Sequence, residues 1–158
     1  MRGSPAKKRL IKPDPKYGSA VLAKFINHLM VKGKKSIAQA IMYQALDKIA
    51  TASKKDPIKI FEEALKNVQP QVEVRSRRVG GANYQVPLPV RGERQHALSC
   101  RWVIGAARAK KGQPMHAKLA TVILDAQQGL GDAIRKRDDM HRMAEANKAF
   151  AHFARFAR

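Results

Sequence analysis

Ten basic residues and one acid, Glu93, fall between Arg75 and Lys118, so these 44 residues hold nine of the chain's twenty excess positive charges. Cations this concentrated do one kind of chemistry: they neutralise closely spaced anions, above all nucleic-acid phosphates. Arg75, Arg77 and Arg78 lead the run, with Gly80 and Gly81 just beyond. On a strand Arg75 and Arg77 share one face ~6.6 Å apart, within the spacing of successive phosphates, and Arg78 takes the other. Arginine's planar fork suits bidentate phosphate contact better than lysine's ammonium. Arg94, Arg101 and Arg108 recur every seven residues, which aligns them on one side of a helix. Lys110-Lys111 extends that stripe into the loop before Met115.

Catalytic patterns are missing. The sequence has no G-x-x-x-x-G-K-[ST] loop, no G-x-S-x-G elbow, no H-E-x-x-H and no paired C-x-x-C. Gly129-Leu130-Gly131 is a fragment of a dinucleotide loop, but it follows a helical pattern and reads as a helix–helix turn. His28, His96, His116, His141 and His152 are scattered, without recurrent ligand spacing. Cys100 reads as a small core residue, and Glu62-Glu63 and Asp138-Asp139 as solvated helix positions. The chain is expected not to be an enzyme and to need no metal or cofactor.

Composition agrees with a folded polyanion binder. The chain has 158 residues, with 32 Lys+Arg against 12 Asp+Glu and a net charge of +20. Its apolar content of 44% is close to the globular norm, so this is a basic domain and not a basic tail. The length suits one domain, able to bury roughly 70% of its unfolded surface without disulfides. One cysteine cannot form an internal bridge. The longest apolar run, residues 102–107, is far short of the ~20 residues that span a bilayer. No segment joins a Lys/Arg-rich face to a Trp/Phe/Leu face, so nucleic acid is favoured over membrane. The basic N-terminus lacks a signal-peptide hydrophobic stretch, and a soluble, cytoplasmic protein is expected.

The elements that must position these cations can be read from periodicity. Residues 1–17 contain Lys7, Lys8, Arg9, Lys12 and Lys16 with three prolines, and read as an extended basic arm. Such arms order along a phosphate backbone. A single domain over 18–158 follows. Val21, Leu22, Phe25, Ile26, Leu29 and Met30 predict a first helix from Ser19, and Gly33 with Lys34-Lys35 ends it. Ser36 is the expected cap of a second helix, with Ile37, Ile41, Leu46 and Ile49 inward. Asp56-Pro57 predicts the start of a third, burying Ile60, Phe61, Ala64, Leu65 and Val68.

The period then changes from helical to alternating. Val72, Val74, Tyr84, Val86, Leu88 and Val90 predict a β-hairpin at about 71–91, turning at Gly80-Gly81. Pro87 and Pro89 leave one side of the second strand unable to pair, so the ribbon is expected to be two strands wide. Such a ribbon is marginal alone and must lean on helices or on a ligand. Tyr84, near its tip, can stack on a base or pack beneath the ribbon. A fourth helix from Glu93 places Leu98, Trp102, Val103 and Ala106 inward. A fifth opens at Pro114 with Leu119, Val122, Ile123 and Ala126 inward. A sixth starts at Gly131-Asp132, with Arg135-Lys136-Arg137 in its first turns, and is expected to run into the Phe-rich end. The fold class is mainly α: about six helices, one protruding two-stranded β-hairpin and a basic N-terminal arm.

Several of these segments also resemble one family. Val72-Glu73-Val74-Arg75-Ser76-Arg77-Arg78-Val79-Gly80-Gly81 with Tyr84-Gln85-Val86-Pro87 is similar to the hairpin of bacterial-type small-subunit ribosomal protein seven. So are Asp14-Pro15-Lys16-Tyr17-Gly18-Ser19, Leu29-Met30-Val31-Lys32-Gly33-Lys34-Lys35-Ser36 and Arg101-Trp102, in the expected order. His141-Arg142-Met143-Ala144-Glu145-Ala146-Asn147-Lys148-Ala149-Phe150-Ala151-His152 matches near the C-terminus. Met1-Arg2-Gly3-Ser4-Pro5 and the ending Phe153-Ala154-Arg155-Phe156-Ala157-Arg158 depart from the family pattern.

The resemblance implies a protein that binds small-subunit rRNA directly and nucleates the head of the subunit. It implies a place near the exit-site tRNA and messenger RNA, beside ribosomal proteins nine and eleven. By position, the RNA-facing candidates are Lys7, Lys8, Arg9, Lys12, Lys34, Lys35, Arg75, Arg77, Arg78, Arg94, Arg101, Arg108, Lys110, Lys111, Met115, Arg142 and Met143. No homo-oligomer is expected. Addition of a chelator should leave the thermal midpoint unchanged, and sedimentation at micromolar concentration should give a monomer. Unfolding by chelator, or a stable dimer, would contradict this reading.

Overall fold

The computed structural model describes Gly3 and residues 9–156 of the chain. It is mainly helical: among the described residues there are six α-helices, a C-terminal 3-10 helix and one two-stranded antiparallel sheet. No described helix is long and apolar enough to cross a membrane. Two compact units are distinguished, Met1–Ala40 and Ile41–Arg158.

In the first unit a turn precedes the first helix. Asp14 is buried, and its Oδ2 accepts from the backbone N–H groups of Lys16 at 3.1 Å and Tyr17 at 3.2 Å. Gly18 closes the turn at φ +64°, a conformation open to glycine, and donates to the Asp14 carbonyl. Ser19 then caps helix α1 (Ala20–Leu29), its side chain accepting from Leu22 N–H. Leu22, Phe25, Ile26 and Leu29 are buried, as their spacing predicts, and so is Ala23. Val21, expected on the same face, is 36% exposed because it lies at the margin of the stripe, and Met30 is the half-buried C-cap.

Helix α2 (Lys35–Ser53) begins one residue before the expected cap, so Ser36 lies inside it. Ile37, expected inward, is 53% exposed, and Ile41 is half-buried. The buried stripe is Ala38, Met42, Ala45, Leu46 and Ile49. Two alanines supply positions 38 and 45 of that stripe, and a search for large apolar residues passes over them.

The second unit is built on four mutually packed helices. These are α3 (Pro57–Val68), α4 (Gly92–Ala109), α5 (Met115–Gln127) and α6 (Asp132–Ala146). α3 starts as expected, with Asp56 Oδ1 accepting from Ile58 N–H at 3.0 Å and Pro57 at the first helical position. Its five predicted core residues are all buried, as are the four predicted for α5. In α4, Leu98, Val103, Ala106 and the Cys100 thiol are buried, but Trp102 is only half-buried. The small residues Ala106 and Ala107 let the helix pack closely on that side, and the indole is left at the edge.

One side-chain junction ties three of these helices. Asn67 donates through Nδ2 to the carbonyls of Ala126 and Gln127 at the C-terminal end of α5, where the helix's own ladder runs out. The carbonyl of Asn67 accepts from Arg137, whose guanidinium also pairs with Asp138 at 2.6 Å. The sixth helix does not run into the Phe-rich end. It stops at the C-cap Asn147, and the chain continues as the 3-10 helix Lys148–Phe156. Asn147 spends its side-chain amide on the Met143 carbonyl, an acceptor at the end of the helix.

Phe61, with no exposed surface, sits in this core, whereas Trp102 is at its edge. Phe61→Ala should therefore cost ~3–5 kcal/mol of stability, and Trp102→Ala less than ~3 kcal/mol, because only part of the indole leaves a cavity. Chemical denaturation of the two variants checks the order; an equal or larger loss at Trp102 would contradict the packing.

Candidate nucleic-acid interface

The hairpin consists of β1 (Val72–Val79) and β2 (Ala82–Pro89). Gly80 and Gly81 form its two-residue turn at φ +57° and +90°, both in the region that the primed hairpin turn requires. Val79 pairs with Ala82, Arg77 with Tyr84, Arg75 with Val86 and Val74 with Pro87. Val90 N–H donates to the Gln71 carbonyl at 3.0 Å, which fixes the alternation of the ladder. Pro87 and Pro89 then fall in the pairs without hydrogen bonds, so their missing donors face away from β1. That arrangement leaves the ribbon two strands wide, as the sequence predicts.

The ribbon leans on helices. Gln71 N–H donates to His141 Nε2 on α6 at 3.1 Å, and β2 packs against the 3-10 helix. Tyr84 packs, with its ring centroid 5.2 Å from that of Phe150 and 5.0 Å from that of Phe153. Of the two roles open to it in the sequence, the structure places it in the packed one. Register puts Glu73, Arg75 and Arg77 on the same face as Tyr84, Val86 and Leu88. The opposite face presents Ser76, Arg78, Asn83 and Gln85, all exposed.

The three hairpin arginines therefore stand in different surroundings. Arg78 is exposed on the open face and makes no ion pair among the described residues. Arg77 is half-buried, and its Nε is a buried donor with no hydrogen-bond partner among them. Such a donor is costly unless a ligand or water satisfies it. Arg75 donates through Nε to Glu73 Oε1 at 2.6 Å, and its Nη2 pairs with the same oxygen. Arg94, at the start of α4, donates through Nε to the other oxygen of Glu73 at 3.1 Å. Glu73 is one of only three buried polar or charged side chains among the described residues, and it joins hairpin to helix. Further along α4, Arg101 and Arg108 are exposed. Lys110 is held by Asp125 at 3.2 Å, while Lys111 is exposed without an ion pair to any described residue.

This hairpin-and-helix arrangement can be set beside known proteins. The family model described as "Ribosomal protein S7p/S5e" matches residues 1–148. The chain belongs to that family. It is 60% identical over 148 residues to "Small ribosomal subunit protein uS7" of Marinobacter nauticus, covering 94% of this chain and 95% of the relative. The protein of the same name from Chromohalobacter salexigens is 58% identical over 146 residues, 92% and 94% of the two chains. That of Carboxydothermus hydrogenoformans is 54% identical over 152 residues, 96% and 97%.

The remaining family positions are distributed as follows. In the first unit Arg9, Lys12, Lys34 and Lys35 are exposed, the last two where the loop after α1 enters α2; Lys7 and Lys8 lie outside the described residues. In the second unit Met115 is half-buried at the first position of α5. On α6, Met143 is 47% exposed, and Arg142 is exposed with a loose pairing to Asp139 at 3.8 Å. No group of three or more His, Cys, Asp or Glu that could hold a metal ion occurs among the described residues. Cys100 is buried with its Sγ 3.6 Å from His96 Nε2, so the thiol has no access to a substrate.

Three participants escape a reading of the sequence alone: Glu73, His141 and the Phe150–Phe153 pair. For Glu73 a signal exists, because it lies two residues before Arg75 and so on its face. The others depend on the chain folding back over about 70 residues. The aromatic contacts predict that Tyr84→Ala frees the C-terminal 3-10 helix from the hairpin. Amide exchange across residues 148–153 should quicken in that variant while the hairpin turn keeps its register. Unchanged exchange there would show that the ring contact does not hold the segment.

Proposed function

We propose that this chain is a structural component of the small ribosomal subunit that binds its rRNA directly and has no catalytic role. In this reading it nucleates the head of the subunit, as a single copy, beside ribosomal proteins nine and eleven. It lies near the exit-site tRNA and the messenger RNA. The observation that carries the proposal is the state of the hairpin arginines: among the described residues Arg78 is exposed without an ion pair, and Arg77 has a buried Nε that no acceptor reaches. A phosphate oxygen is an acceptor that exposed Arg78 suits as it stands, and one that Arg77 gains once its half-buried side chain turns outward. Exposed Arg101 and Lys111, on and just after α4, enlarge the basic surface of the second unit, and a broad folded surface of this kind suits structured RNA. Family membership supports the same reading, since the relatives are named as small-subunit proteins.

The test is salt-dependent binding of the full chain to a small-subunit rRNA fragment. Arg77→Ala with Arg78→Ala should reduce the steepness of log K against log salt by about 1.5, at roughly 0.7–0.9 for each phosphate that is no longer neutralised. Stability should change by less than ~1 kcal/mol, since neither side chain gives up an ion pair. Chemical footprinting should show a protected patch on the rRNA that weakens at the hairpin in the double variant. An unchanged slope would remove these arginines from the interface, and an absent footprint would remove the rRNA.

A further inference from the structure

At the base of the hairpin a pocket of about 360 Å³ lies between β1, the end of β2 and the start of α4. Its polar wall is Glu73, Arg75, Arg91 and Arg94, and its apolar part comes from Leu88 and Pro89. The Glu73 side chain is 8% exposed, while those of Arg75 and Arg94 are 53% and 42% exposed. One carboxylate thus faces three guanidinium groups, and the pocket retains a net charge of +2. Glu73 grips the inner edges of its two partners. Arg94 is held only through Nε, which leaves both of its Nη groups outside that bond, and Arg75 is held through Nε and Nη2, which leaves Nη1. Arg91 is exposed at the N-cap of α4 and makes no ion pair among the described residues.

We infer that Glu73 is a positioning residue: it fixes Arg75 and Arg94 so that their outer Nη groups, with Arg91, bind one RNA backbone phosphate in this pocket. The inference rests on the proposed rRNA-binding function and adds a site and a residue to it. A guanidinium already fixed along one edge loses less side-chain freedom when a phosphate arrives at the other. The carboxylate also keeps the two like charges apart at a set distance before any anion is present. An acid in a basic interface would otherwise only weaken attraction to RNA. Here its burial turns it away from the phosphate and towards the arginines.

The sign of one substitution tests this. Glu73→Gln keeps the shape and raises the net charge by one, so charge alone predicts tighter binding to any RNA. Positioning predicts the reverse for small-subunit rRNA: affinity should fall by about tenfold, the loss expected from freeing two long side chains. Binding to an unrelated RNA duplex should hold steady or tighten. In an Arg75→Ala, Arg94→Ala background, Glu73→Gln should cause no further loss, because Glu73 acts only through those side chains. Arg91→Ala, at an exposed position, should lower the salt slope by about one phosphate's worth. It decides the matter if Glu73→Gln fails to fold. Equal or tighter rRNA binding by Glu73→Gln, or an unchanged slope for Arg91→Ala, overturns the inference. Failure of the wild-type chain to bind the rRNA would instead overturn the function on which it rests.

Discussion

Charge is the constraint around which this fold is arranged. Thirty-two basic residues share the chain with twelve acids, so no pairing scheme can neutralise it from within. The repulsion that remains opposes compaction. Five of the twelve acids are placed where they set geometry. Asp14 closes a turn, Asp56 caps α3, Asp125 holds Lys110, Asp138 holds Arg137 against the end of α3, and Glu73 holds two arginines at once. Each of these acids fastens a particular backbone or side-chain group. The cations left over, among them Arg77, Arg78, Arg91, Arg101 and Lys111, are distributed over the hairpin, α4 and the loop beyond it.

The core is separated from this electrostatic problem. Its buried members are aliphatic and aromatic side chains with many alanines, and no described lysine or arginine is among them. Alanine on facing helices allows close approach and leaves the long cationic stems at the periphery. A two-stranded ribbon has too little apolar surface to stand alone. This one is anchored at its base by the Gln71–His141 and Glu73–Arg94 contacts, and near its tip by Tyr84 on Phe150 and Phe153. The anchoring points use one face of the ribbon near the tip. The other face, with Arg78, stays open, while Arg75 and Arg77 share the face that carries Tyr84.

Much of this is legible in the sequence because it rests on local rules. Asp56-Pro57 marks a helix start, Gly80-Gly81 marks a primed turn, and the apolar spacing of α3 and α5 selects the buried residues correctly. Ile37 and Trp102 depart from expectation for a shared reason. Periodicity assigns burial to the large side chains at these places, while the structure buries Ala38, Ala45 and Ala107 and leaves Ile37 and Trp102 at the edge. The end of α6 is hidden because an alanine-rich pattern continues past Asn147, where the backbone leaves the α-helical conformation and the side-chain amide bonds the Met143 carbonyl. The basic site is visible as composition, but not the distinction between tethered and untethered arginines. Arg94 lies 21 residues from Glu73, and only the fold brings them together.

The free chain thus holds positive charge it cannot neutralise internally. The thermal midpoint of the RNA-free protein between ~20 mM and ~500 mM KCl measures this most directly, because that range takes screening from weak to strong. If net repulsion dominates, the midpoint rises with salt, by roughly 2–4 °C for each kcal/mol of repulsion screened. A midpoint that falls with salt would show that internal ion pairs outweigh the repulsion, and would contradict the account.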